Sequence, residues 1–195
     1  MAFFRTINFS DPQPSVVGEG VILRTPQPTD YPEWAALREQ SREFLTPWEP
    51  TWPADDLSRS AFRRRLRRYT EDLRTDQSYA FLIFRSADGR LVGGLTLANV
   101  RRGVAQAGSL GYWIGAPYAR RGYMSAAVTA LIPYAFTTLR LHRLEAACIP
   151  TNAASISLLE KTGFEREGYA REYLCINGQW QDHLLYARLR DSPRR

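Results

Sequence analysis

The chain has 195 residues, 44% hydrophobic and 24% charged, enough for one domain with a sizeable core and ordinary for a soluble globular protein. Its net charge of +6 leaves three readings open: attraction for the phosphates of a small ligand, attraction for ribosomal RNA, or no specific anionic partner. No run approaches the roughly 18 apolar residues of a membrane span, and the opening Met-Ala-Phe-Phe-Arg lacks an export signal's apolar core and cleavage site; a cytoplasmic protein without a membrane partner is expected. Cys148 and Cys175 read as small core residues, and with only His142 and His183 beside them they show no metal-ligand spacing, so no metal is expected.

Taken in order, residues 1–20 are rich in Pro, Ser and Gly and read as an irregular arm. Val21 to Arg24 is a first strand. Thr29 or Asp30 can cap the next helix, with Pro32 in its first turn, and that helix should end near Leu45, before Pro47. The prolines of Thr46 to Pro53 forbid a helix or a central strand, leaving a stiff loop that displays Trp48, Glu49 and Trp52. A helix from Ser58 to Leu73 follows. It carries the arginine-rich run from Arg63 to Arg68, which helical spacing spreads around a solvated face while Ala61, Leu66, Tyr69 and Leu73 turn inward.

The period then changes to that of strands. Ser78 to Phe84 and Leu91 to Val100 are joined by the hairpin signal Asp88-Gly89, and Gly93 and Gly94 would weaken the second strand unless something packs closely there. Gly108 to Gly115 is a further strand. A helix from Gly122 to Leu139 contains Pro133, which should kink it. Strand Leu144 to Ile149 precedes a short helix from Asn152 to Lys161, closed by Gly163. Phe164 to Glu172 leads into a hairpin of Tyr173 to Ile176, Asn177-Gly178 and Trp180 to Leu189, and residues 190–195 form a polar tail. The fold class expected is α/β: one domain over residues 21–189, a mixed, mostly antiparallel twisted sheet flanked by helices.

The chemistry concentrates between Leu110 and Ala127, LGYWIGAPYARRGYMSAA. Strand, basic glycine turn and helix make an anion-binding arrangement. The first N–H groups of a helix have no partner within it and lie at the positive end of its dipole, Gly122 admits close backbone approach, and Arg120 and Arg121 add charge. A solvated basic turn before a surface helix accounts for the same stretch equally well when it is taken alone.

With its continuation the stretch resembles the pyrophosphate loop of the GNAT acyl-CoA transferases, departing from the general pattern at Ala119 and Met124. SLGYWIG, RRGYM, LHRLEA, PTNAASISLLEKTGFEREGYAREYL and INGQWQDHLLYA together resemble the RimJ/RimL-type ribosomal-protein-alanine N-acetyltransferases, over most of the chain from about Leu23 to Leu189. The resemblance implies acetyl-CoA as cosubstrate and a protein N-terminus as acceptor, alanine of a small-subunit ribosomal protein. It also carries a homodimer as an expectation.

Residue by residue, it places the pantetheine arm along Trp113 and Ile114, the pyrophosphate on Arg120, Arg121, Gly122, Tyr123, Met124 and Ser125, and a pantetheine amide on Asn152. Ser155 falls where such enzymes keep a serine near the thiol. The resemblance makes Ser155 a proton donor or thiolate-stabilising group, the more so because the tyrosine used elsewhere in the superfamily falls at Leu159; a relative's glutamate falls at Leu174, and Glu172, two residues earlier and so on the same strand face, and Glu49 in the tryptophan loop are the candidate bases. Trp48, Trp52, Asn99 and Tyr112 are expected around the acceptor. Two other readings stay open: the same fold acting on a small amine such as an antibiotic or polyamine, and a ribosome- or RNA-associated factor working through Arg63 to Arg68 with vestigial transfer.

Overall fold

A computed structural model of the protein describes residues 14–191. In chain order its elements are β1 (Ser15–Gly18), β2 (Val21–Arg24), α1 (Tyr31–Gln40), α2 (Arg42–Leu45), α3 (Arg59–Arg74), β3 (Tyr79–Arg85), β4 (Leu91–Arg101), β5 (Ala107–Ile114), α4 (Tyr123–Pro133), β6 (Arg143–Cys148), α5 (Ala153–Lys161), β7 (Glu165–Ile176) and β8 (Gln179–Leu189). The strands form one eight-stranded sheet in the order β1-β2-β3-β4-β5-β6-β8-β7. Every neighbouring pair is antiparallel except β5 and β6. This is the expected mixed α/β sheet.

Strand alternation divides the core between two faces. Phe81, Ile83, Leu95, Leu97 and Leu110 pack against Ala127, Val128, Leu131 and Ile132 of α4 and Leu159 of α5. Leu82, Phe84 and Leu91 point the other way, onto Trp34 and Leu37 of α1 and Phe62 of α3. Glu33 fixes α1 to the sheet, its Oε1 accepting the Leu91 N–H at 2.9 Å. The paired glycines of β4 have the close neighbour that their presence demands: a Cβ on Gly93 would collide with the Trp113 carbonyl, and one on Gly94 with the Trp113 indole nitrogen.

The feature that positions a site is the junction of β5 and β6. They pair only at Ala107 with Arg143, Gly108 with Leu144 and Ser109 with Glu145. Beyond Ser109, β5 runs on to Ile114 and β6 to Cys148 without pairing to each other. The sheet opens into a V there, and among the described residues one edge of β5 has no neighbouring strand from Leu110 onward.

Several expectations change. Ser15–Gly18, read as part of an irregular arm, is an edge strand paired with β2, because Val16 and Val17 suit a strand and Gly20 turns the chain at φ 69°; residues 1–13 lie outside the described residues. The helix expected to run to Leu45 breaks at Ser41, whose fully buried Oγ accepts the Ala116 N–H at 2.9 Å. The expected kink at Pro133 takes the form of a π-helical turn over Tyr134–Thr138. Cys148 is buried as expected, but Cys175 is exposed, on a strand that forms the sheet's outer edge.

Candidate active site

The turn between β5 and α4 shows how the anion cradle is made. Arg120 and Gly122 both lie in the left-handed region, at φ 59° and 83°. These two bends turn the chain into α4, and Gly122 serves as its N-cap residue. The bond that opens the helix runs from the Ala126 N–H to the Gly122 carbonyl at 2.9 Å. The N–H groups of Tyr123, Met124 and Ser125 therefore have no partner within the helix and gather at its positive end. Arg120, Arg121 and Gly122 are exposed, Tyr123 and Ser125 partly so, while Met124 is buried and secures the loop to the core. These residues fit a pyrophosphate through backbone donors, and the unpaired edge of β5 fits a chain of amides laid beside it as an added strand.

Across the V, α5 supplies the reacting side chains. Asn152 caps the helix, its Oδ1 accepting the Ser155 N–H at 3.0 Å. That bond fixes the first turn and hence the direction of Ser155, whose Oγ lies 2.6 Å from the hydroxyl of Tyr112 on β5. Burial raises the Tyr112 phenol well above its ordinary value, against the lowering effect of Ser155, so it remains a protonated donor. Tyr112, expected around the acceptor, joins β5 to α5 through its hydroxyl's contact with Ser155. Burial also raises the Cys148 thiol, opposed again by Ser155, and keeps it protonated.

The other face is built from side chains. Both Glu49 oxygens are held by Arg38, at 2.7 and 2.6 Å, and the Trp52 indole N–H donates to Oε2 at 2.8 Å. The Arg38 guanidinium lies 4.1 Å from the Trp52 ring centroid and 4.9 Å from that of Trp113. Alternation along β5 thus sends Tyr112 toward α5 and Trp113 toward α1, while Ile114 returns to the core beneath α4. The Glu49 carbonyl accepts the Asn177 N–H at 2.9 Å, tying the tryptophan loop to the β7–β8 hairpin.

Not every expected residue arrives at the splay. Glu49 is engaged by three donors and holds Arg38, which does not suit it to remove a proton. Glu172 was placed with Leu174 by counting alternate residues, but the register shifts between Ala170 and Leu174. At φ 45° it is exposed on this bulge, where its N–H donates to Asp182 Oδ1 at 2.8 Å. Asn99 likewise sits exposed at a bulge, at φ 51°, beside the paired end of β5 and away from the open end. Trp48 is exposed next to Glu49. Of the arginine run on α3, Arg63, Arg64, Arg67 and Arg68 are exposed, and Arg64 and Arg65 pair with Asp55 and Asp56. Arg38 and Asp56 escaped the sequence reading; the available signal was a charged residue one turn after Trp34, on the apolar side of α1.

A splayed β5–β6 pair with a backbone anion cradle at the start of α4 defines an acyl-CoA transferase class, and the comparisons agree. The acetyltransferase (GNAT) domain model matches residues 21–165. The probable N-acetyltransferase YjcK of Bacillus subtilis is 36% identical over 87% of this chain and 94% of its own length. The ribosomal protein uS5-alanine N-acetyltransferase of Escherichia coli is 35% identical over 90% of this chain and 91% of its own. The structure of Mycobacterium smegmatis RimJ in complex with CoA-disulfide superposes with a TM-score of 0.85, at 29% identity, covering 94% of this chain and 89% of that one. The chain belongs to the GNAT acetyltransferase family, in its RimJ/RimL-type branch. It is an N-acetyltransferase with acetyl-CoA as cosubstrate.

Proposed function

We propose that the protein transfers the acetyl group of acetyl-CoA to the N-terminal α-amino group of a ribosomal protein, alanine being the residue acetylated, in the cytoplasm where such proteins are made. The observation that carries this reading is the Tyr112–Ser155 hydrogen bond of 2.6 Å at the opening of the splay, beside a cradle suited to the cosubstrate's phosphates. The acceptor follows from the uS5-alanine N-acetyltransferase relative.

The reaction needs a neutral amine, donors for the developing oxyanion and a proton for the departing thiolate. The amine attacks the thioester carbon, and an N–H on the unpaired edge of β5 faces the oxygen that gains charge. As the carbon–sulfur bond breaks, Ser155, oriented by its hydrogen bond to the Tyr112 hydroxyl, gives its proton to sulfur and is reprotonated through the solvent that takes up the proton of the attacking amine. Little is asked of a base: at pH 7 roughly a tenth of an α-amine is already neutral, against below about a thousandth of lysine. A water suffices, consistent with the positions of Glu49 and Glu172.

The test is acetyl transfer to peptides with free Ala, Ser, Met or Gly termini, beside N-terminally blocked peptides bearing lysine. Selective labelling of the free Ala peptide is expected. Labelling of lysine alone, or of small amines and no peptide, would overturn the reading.

A further inference from the structure

The outer face of α3 takes no part in the transfer reaction, yet it concentrates charge. Six arginines and no Asp or Glu stand between Arg59 and Arg68. Ala61 and Phe62 are buried and Leu66 is half-buried, on the side of α3 that meets the sheet. That leaves Arg59, Arg63 and Arg67 in one exposed row, at i, i+4 and i+8, with Arg64 and Arg68 in a second row beside it. Arg64 pairs with Asp55 and Arg65 with Asp56. Among the described residues, Arg59, Arg63, Arg67 and Arg68 have no carboxylate partner.

This placement costs the helix stability. Its first turn holds no acidic residue and begins with Arg59, so cations gather at the positive end of the dipole. The pairs Arg59 with Arg63, Arg63 with Arg67 and Arg64 with Arg68 are like charges at the spacing where opposite charges would help. The last turns of the same helix show the ordinary pattern, Glu71 pairing with Arg74. The first ten residues of α3 are therefore suited to an anion outside the chain.

The surroundings narrow what that anion is. Residues four apart on a helix repeat every 6 Å or so, about 1.5 Å for each residue, close to the pitch of successive phosphates on a nucleic-acid strand. The tyrosine rings beside the rows are taken up by cations, Tyr31 by Arg59 at 4.6 Å and Tyr69 by Arg68 at 5.6 Å, and do not form a platform for unstacked bases. Phe62, Leu66 and Leu73 all turn inward, so the face offers no apolar side chain to a lipid interior. Phosphates read without their bases are the mark of a double helix held by its backbone.

We propose that the outer face of α3 binds the phosphate backbone of double-helical RNA through Arg59, Arg63, Arg67 and Arg68. The choice of RNA rests on the ribosomal-protein reading, because such an acceptor travels with folded RNA. The face lies across the sheet from α4 and its anion cradle, so RNA and acetyl-CoA bind together without competing.

Fluorescence anisotropy of the full chain with a labelled RNA duplex of about 16 base pairs supplies the test. Affinity should fall steeply with salt, with a slope of log K against log salt of about −3 to −4 for four phosphate contacts. Saturating CoA should not displace the duplex. Arg63→Gln together with Arg67→Gln should make the slope shallower by about two while kcat and KM for an Ala-initiated peptide stay as in wild type. Glutamine suits a helix and relieves the like-charge contacts, so this variant should melt no lower than wild type; a lower melting temperature with RNA affinity intact would make the rows structural and overturn the inference. Displacement by CoA, equal competition by polyglutamate, or tighter binding to a DNA duplex or to anionic vesicles would overturn it as well. RNA binding with no peptide acetylated would remove the function reading and leave the phosphate-binding face standing; acetylation of peptides with no RNA bound would remove only this inference.

Discussion

Where β5 runs into α4 the site is built of backbone, from two left-handed residues and the N–H groups of a helix start; facing it, the α1 wall is built of side chains from four places in the chain, Arg38, Glu49, Trp52 and Trp113. The first tolerates many side chains and depends on φ at one or two positions. The second needs long side chains to meet across elements, and shortening any one leaves another uncovered. On the proposed reading the cosubstrate's phosphates meet the part built of backbone, and the acceptor meets the part built of side chains.

Substitutions that strike only one side, or the bridge between them, test that division. Ser155→Ala strikes the bridge and should cut deepest, lowering kcat on the order of a hundredfold with CoA affinity unchanged by calorimetry; full turnover would remove Ser155 from the mechanism. Gly122→Val strikes the backbone side. At φ 83° a β-branched residue strains the turn by roughly 1–3 kcal/mol, and CoA affinity should weaken about tenfold to a hundredfold while the intrinsic acceptor preference stays. Retained affinity would mean the phosphates bind elsewhere. Tyr112→Phe removes one donor behind Ser155 and should lower kcat about tenfold, with both KM values held; a shift in acceptor KM instead would return Tyr112 to the acceptor wall.

The smallest effect is an alkaline one. Burial holds Tyr112 neutral by raising its pKa above the ordinary 10.0, so the fold favours the protonated phenol. That contribution is fully present below pH 10.0 and is lost as pH climbs past it toward the folded-state value. Tyr79 and Tyr134 are raised in the same direction, by burial first, so the informative quantity is a difference. Tyr112→Phe should lose stability less steeply than wild type in denaturant melts above pH 10.0, and parallel curves would show that the phenol is not held by its surroundings.

What could be seen in the sequence follows the same division. The Asn177-Gly178 hairpin, the helix that opens at Asn152 and the Gly122 turn are local events, each decided within a few residues, and all are present. The bulge between Ala170 and Leu174 breaks the alternation that put Glu172 on the face of Leu174, and Asn99 sits at a second bulge beside the paired end of β5. Ser15–Gly18 was missed because so short a strand gains its regularity only from β2 beside it. Arg38 with Glu49, and Asp56 with Arg65, were invisible for another reason: which charge meets which is settled by how α1, α3 and the tryptophan loop come to rest on the sheet.

The three residue pairs joining β5 to β6 have a mechanical meaning. They form a short spine between two blades, β1 through β5 on one side and β6, β8 and β7 on the other. A ligand whose amides run along the vacant edge acts as a clasp, so that loading the donor also finishes the assembly of the sheet. Resistance to heat should then climb with the logarithm of donor concentration, and slowed amide exchange should reach along β6 into strands that never touch the ligand.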